Sequence, residues 1–110
     1  MIVKAQGKFI RISPRKVRRV LDLLRGESVL TAESLLLNMN NRTKESLIKI
    51  LHSAVANAKV KGFKREQLYI SKIICDAGPI WKRFRAAAFG RANLIRRRTS
   101  HIKIELDIKA

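Results

Sequence analysis

The tightest constraint on this chain is a stretch that fits no core. Residues 80–100, IWKRFRAAAFGRANLIRRRTS, lie between two runs with strand character, Leu68–Asp76 and Ile102–Ile108. The stretch carries Lys82, Arg83, Arg85, Arg91, Arg96, Arg97 and Arg98 and no acid. A turn signal at Ala88-Phe89-Gly90-Arg91, near its midpoint, makes a long hairpin the simplest geometry. Each arm has about ten residues and at ~3.3 Å per residue reaches about 33 Å. That exceeds the ~13 Å radius of gyration of a compact domain of this length, so the hairpin must project. An isolated two-stranded ribbon is marginal in water. One with this much unbalanced positive charge needs something negative to hold it.

The rest of the sequence supplies a body for the ribbon. The chain has 110 residues, with 25 Lys+Arg against 8 Asp+Glu, a formal net charge of +17. Its length suits one domain, residues 1–110, with the hairpin inside it. Hydrophobic residues make up 46%, too many for a disordered basic tail. The charge is segregated. Lys4, Lys8, Arg11, Arg15, Lys16, Arg18 and Arg19 fall in an acid-free stretch from Met1 to Leu21, and a second acid-free stretch runs from Ala77 to Ile104. Two cationic tracts around a nearly balanced centre are the pattern of a folded body that presents binding surfaces to a polyanion.

Apolar spacing gives the body its elements. An N-terminal strand is expected over Ile2–Ile12. Ser13-Pro14 then reads as a helix start, with Ser as N-cap and Pro at the first helical position. Val17, Val20, Leu21 and Leu24 follow at i, i+3, i+4 and i+7, and Gly26 is the stop. Arg15, Lys16, Arg18, Arg19 and Arg25 lie mostly off that stripe, so this helix has one apolar and one cationic face. A second helix is expected over Val29–Leu37, capped by Ser28, with Val29, Ala32, Leu35 and Leu36 inward. Asn38, Asn40 and Asn41 form a turn signal and supply the next cap. The third and longest helix, Arg42–Lys61, carries Leu47, Leu51, Ala54, Val55 and Ala58 on one face and stops at Gly62. Strict alternation of Ile102, Ile104, Leu106 and Ile108 with Lys103, Glu105 and Asp107 marks a half-buried antiparallel strand. The fold class is α+β: three helices packed on a small antiparallel three-stranded sheet, with a long projecting β-hairpin. The N-terminal strand is expected to lie against the core part of the pair formed by the last two.

Several function classes find no support. No apolar run approaches the ~18 to 20 residues of a membrane-spanning helix, and MIVKAQGKFIRI does not read as a targeting segment. Cys75 is the only cysteine, so neither an internal disulfide nor a Cys-based metal cluster is expected. Cys75, Asp76 and His101 could meet across paired strands in imitation of a thiol nucleophile and its base, yet a cysteine in an apolar strand is more often structural. No catalytic residue, metal site or cofactor is expected. A small DNA-binding module is the alternative from another class, because the first two helices meet at a short break. Against it, the second helix offers Glu33 and no cation, and the ribbon is left unexplained.

RNA accounts for the ribbon better. Six of its seven cations are arginines, whose planar fork suits phosphate and stacks on bases. Trp81, Phe84 and Phe89 interleave with them, the combination by which proteins grip irregular or single-stranded RNA. Trp81 and Phe84 could instead pack the hairpin base onto the body.

Four stretches carry a resemblance: RISPRKVRRVLDLLRG (Arg11–Gly26), SAVANAK (Ser53–Lys59), DAGP (Asp76–Pro79) and GRANLIRRRTSHI (Gly90–Ile102). In order and spacing the chain resembles the large ribosomal subunit protein twenty-two family in its bacterial and organellar form. The resemblance implies a structural protein of the large subunit, in a cytoplasmic or organellar ribosome, that binds and organises large-subunit rRNA during assembly. It implies a body near the polypeptide exit and a hairpin lining the nascent-peptide tunnel. The partners implied are rRNA, neighbouring ribosomal proteins and the nascent peptide at the hairpin tip, with the protein itself a monomer within the ribosome and no membrane or small-molecule substrate. By the same resemblance Arg11, Arg15, Lys16, Arg18 and Arg19 on the body would contact RNA. On the hairpin, Lys82, Arg83, Arg85, Arg91, Arg96, Arg97 and Arg98 would do so. The tip would comprise Ala86, Ala87, Ala88, Phe89 and Gly90. Family members commonly carry Pro, Arg and Lys where this chain has Ala86, Ala87 and Phe89, so two cations and a turn-stiffening residue are missing there.

Overall fold

The computed structural model describes residues 3–40, 42–86 and 92–108, and within 81–97 it describes the backbone alone. Along the chain these form β1 (Val3–Ile10), α1 (Pro14–Leu24), α2 (Val29–Asn38), α3 (Lys44–Val60), a 3-10 turn (Arg65–Gln67), β2 (Leu68–Ala86) and β3 (Ala92–Ile108). The strands make one antiparallel sheet in the order β1-β3-β2. The class is α+β, as the alternating and helical periods require. The N-terminal strand does lie against the inner part of the last pair, with β3 in the middle.

Alternation decides which sheet face is buried. Val3, Ala5, Ile70, Ile73, Cys75, Ile102, Ile104 and Leu106 turn towards the helices and are buried. The opposite face carries Lys4, Gln6, Lys72, Ile74, Asp76, His101, Lys103 and Glu105, all exposed or half-buried. Rows run straight across it: Lys4 opposite Glu105 opposite Lys72, and Gln6 opposite Lys103 opposite Ile74. The first row sets an acid between two cations, the favourable cross-strand arrangement.

On the buried face α1 packs against β2 and α3 against β1. Val17, Val20, Leu21 and Leu24 of α1 are buried, as are Leu47, Leu51, Ala54, Val55 and Ala58 of α3. Truncating any of the larger ones is expected to cost about 2–5 kcal/mol. Helix α3 ends with Gly62 at φ 88°, its N–H bonded to the Lys59 carbonyl and that of Phe63 to the Ala58 carbonyl. That is the left-handed stop its sequence announces.

Two expectations fail locally. Leu35 is 40% exposed, whereas Glu33 is buried with Val29, Ala32 and Leu36. At about 100° per residue Glu33 stands only ~40° from Val29 around α2, and Leu35 about 120° away. Glu33 is kept there by Arg65 of the 3-10 turn, which pairs with its Oε2, while His52 Nε2 of α3 stands 3.4 Å from Oε1 without hydrogen-bonding it. The second correction concerns the cap of α3. Thr43 occupies the cap position rather than an asparagine, Asn38 closes α2, and Asn41 lies outside the described residues. Ser28 caps α2 as expected, its hydroxyl accepting from the Thr31 N–H at 3.2 Å.

A candidate RNA interface on the body and ribbon

Beyond the end of β1, the sheet continues as two strands. The pairs Ile80↔Arg98, Trp81↔Arg97, Lys82↔Arg96, Arg83↔Ile95, Phe84↔Leu94, Arg85↔Asn93 and Ala86↔Ala92 carry β2 and β3 outward. The longest dimension is 63 Å against 24 and 17 Å for the others, and the radius of gyration, 16.9 Å, exceeds the ~13 Å of a compact domain of this length. This ribbon holds Lys82, Arg83 and Arg85 on one strand and Arg96, Arg97 and Arg98 on the other. Arg91 and the tip candidates Ala87, Ala88, Phe89 and Gly90 lie outside the described residues, and Ala86 is the last residue of β2.

The ribbon leaves the body through a tightly made junction. Between Ala77 and Ile80 the register shifts, adding a residue to β2 at Gly78-Pro79. A Cβ on Gly78 would stand 2.5 Å from Thr99 Oγ1 and 3.2 Å from the His101 ring, so only glycine lets the strands close there. Thr99 donates its hydroxyl to the Pro79 carbonyl at 2.7 Å, and the Ser100 hydroxyl donates to the Ile12 carbonyl. Both residues are buried. A bulge bends and twists the outgoing pair, and these bonds tie β3 to the Pro79 carbonyl of the bulge and to the Ile12 carbonyl that follows β1.

The body's cations divide into two groups. Arg15, Lys16 and Arg19 of α1 are exposed, as are Arg11 just before it and Arg98 on the ribbon. Arg18 and Arg25, exposed as well, also reach the outer edge of β2. Arg18 donates from Nε and Nη2 to the Cys75 carbonyl at 3.3 and 2.9 Å, and Arg25 donates from Nη2 to the Ile73 carbonyl at 3.0 Å. The edge is completed by the linker between α1 and α2, where Gly26 N–H meets the Ile70 carbonyl and Ile70 N–H the Glu27 carbonyl. An open strand edge invites pairing with another chain, and charged side chains are a known way to block it. Arg18 therefore braces the edge with part of its fork, and its remaining N–H groups can still face a phosphate. Sequence spacing puts Arg18 off the apolar stripe but cannot show which neighbour it meets.

Cys75, Asp76 and His101 are not brought together. Cys75 is buried on the helix side, while Asp76 and His101 pair on the opposite face. Burial pushes the Cys75 thiol up, against the opposing pull of the Ser100 hydrogen bond and Arg18, so the thiolate a nucleophile needs is disfavoured. Among the described residues no cluster of three or more His, Cys, Asp or Glu could hold a metal, and no helix is long and apolar enough to cross a membrane.

Residues 5–107 match the protein family described as ribosomal protein L22p/L17e. The chain belongs to that family. It is 44% identical to the large ribosomal subunit protein uL22 of Halothermothrix orenii over 110 residues, covering 99% of this chain and 97% of the relative. The uL22 protein of Mycoplasma mycoides is 47% identical over 105 residues, covering 94% and 95% of the two chains. The uL22c protein of Cyanophora paradoxa is also 47% identical, over 94% and 92%. As an L22p/L17e protein the chain is a structural component of the large ribosomal subunit and not an enzyme. Sequence reasoning missed the Phe9–His101 contact at the ribbon's base: Phe9 N–H donates to His101 Nδ1 at 3.1 Å, and the rings meet edge to face. A bulge offers no period to read.

Proposed function

We propose that the protein binds and organises large-subunit rRNA during assembly, with its arginine-rich ribbon lining the nascent-peptide exit tunnel. The observation that carries this reading is the continuity of a packed body with a two-stranded arm whose cations have no acid among them. RNA phosphate supplies the counter-charge that the arm lacks, and the body's exposed Arg11, Arg15, Lys16, Arg18 and Arg19 extend the contact. Membership of the L22p/L17e family and the uL22 names of its relatives support the rRNA partner. Neighbouring ribosomal proteins and the nascent peptide at the tip complete the set of partners. Residues 1–110 act as one domain, with Lys82, Arg83, Arg85, Arg91, Arg96, Arg97 and Arg98 as the ribbon's RNA contacts and residues 86–90 as the tip.

Co-sedimentation of the tagged chain with large ribosomal subunits tests the assignment, followed by competition between rRNA fragments and duplex DNA at fixed salt. Incorporation into large subunits and preference for rRNA are expected. Preference for duplex DNA would overturn the reading.

A further inference from the structure

By strict alternation Phe9 belongs in the core, because Val3 and Ala5 point inward on the same parity. Instead the register of β1 against β3 shifts between Gly7 and Ile10, Ile10 takes the inward place against the core, and Phe9 turns out to 55% exposure. Its φ is +57°, a left-handed conformation that a bulky aromatic rarely adopts and that concentrates at binding sites. The exposed ring is held in place. Phe9 N–H donates to His101 Nδ1 at 3.1 Å, and the two rings lie at 89° with centroids 5.0 Å apart. In a perpendicular pair the histidine covers at most one face of the phenyl, so at least one face is left by it for another ring.

The surroundings suit a nucleobase. Phe9 sits on the helix-free side of the sheet at the point where the ribbon departs, with Ile10 opposite Ser100. Lys8 and Arg11 flank it in sequence and are exposed, and Gln6 and Lys103 form the neighbouring cross-strand pair on that face. The acid nearest by register is Asp76, opposite His101, with Glu105 farther along β3. An aromatic on an open sheet face with cations beside it is a general way to hold an unstacked base by its π-face and its phosphate by charge.

We propose that Phe9 is a stacking platform for an unpaired RNA base at the root of the ribbon. The proposal rests on the RNA-binding reading above and adds a base contact to it. His101 orients the ring, and the phosphates on either side of the base fall to Lys8 and the body's arginines.

The test compares the wild-type chain with Phe9→Tyr, Phe9→Leu and Phe9→Gly by titration at one fixed salt concentration. The probes are a single-stranded oligoadenylate and an abasic ribose-phosphate oligomer of the same length. The Leu and Gly variants should bind the oligoadenylate about tenfold more weakly, the Tyr variant should keep its affinity, and all four should bind the abasic oligomer alike. Glycine suits a positive φ, so Phe9→Gly should unfold at or above the wild-type midpoint, which separates lost stacking from lost folding. Wild-type affinity for oligoadenylate in both the Leu and Gly variants would overturn the platform and leave the RNA-binding reading standing. An equal loss for the abasic oligomer would do the same. A wild-type chain that binds neither oligomer nor large-subunit rRNA would overturn both.

Discussion

The inner and outer halves of the β2–β3 pair are one continuous ladder, yet they are stabilised differently. The inner half, from Leu68 to Cys75 and from Ile102 to Ile108, has β1 on one side of β3. It has helices on one face, and the free edge of β2 is closed by Arg18, Arg25 and the Gly26–Ser28 linker. The outer half, beyond Ile80 and Arg98, is a ladder of two strands rich in arginine. Hydrophobic burial specifies the first half within the chain itself. The second carries a run of cations with no acid among them. A strand can thus be core at one end and part of a cation-rich two-stranded ladder at the other, and the Gly78-Pro79 bulge marks the change.

Four experiments would break or sharpen that contrast. The largest effect should be on RNA affinity. With six to ten phosphate contacts, binding to large-subunit rRNA should fall by about 10³- to 10⁵-fold between roughly 50 and 200 mM salt. Replacing residues 81–97 by a short turn should flatten the slope markedly, and an unchanged slope in a filter-binding titration would place the contacts on the body alone. Next, Ile104→Ala, in the buried centre of β3, should cost about 3–4 kcal/mol in urea unfolding. The shortened-ribbon variant should keep a cooperative transition near the wild-type midpoint. Loss of that transition would show that the outer half belongs to the core.

Opening the edge should have a smaller effect. Arg18→Ala with Arg25→Ala leaves the Cys75 and Ile73 carbonyls without those donors and should cost about 1–2 kcal/mol. Concentration-dependent self-association, read by light scattering, should appear as β2 becomes available for pairing. The smallest effect is alkaline. The folded state holds the Cys75 thiol above its ordinary value through burial. Its contribution is therefore complete below the unfolded value and is lost as pH rises through the folded one. Relative to Cys75→Ser, wild-type stability should decline above about pH 9. Parallel curves from pH 7.5 to 10.5 would contradict this.

Much of this contrast is legible in the residues. Alternation through Ile102, Ile104 and Leu106 and the stripe Val17, Val20, Leu21 and Leu24 specify the core because each period has one buried face, although Ile108 at the end of the alternation is exposed. The acid-free run from Ala77 to Ile104 exposes the arm. What escapes is long-range pairing. Glu33 looks like a solvent-facing helix residue until Arg65 arrives from another element. Arg18 looks like a purely solvent-facing cation until β2 lies beside it and takes part of its fork. Phe9 looks like a core residue until a bulge reverses its parity. The tract could say how much charge α1 carries but not which arginines hold the sheet.

The central position of β3 has a consequence for timing. It is the last element in chain order, and the two strands it joins are not neighbours without it. While the chain is being synthesised, β1 and the first half of β2 have no strand to pair with, and the helices have no finished surface to cover. Closure must wait for Ile102–Ile108 to emerge, by which point the cationic arm has already been released ahead of it. The arm is thus complete before the strand that closes the inner sheet has fully emerged, so chain order separates the two halves of the ladder in time as the bulge separates them in space.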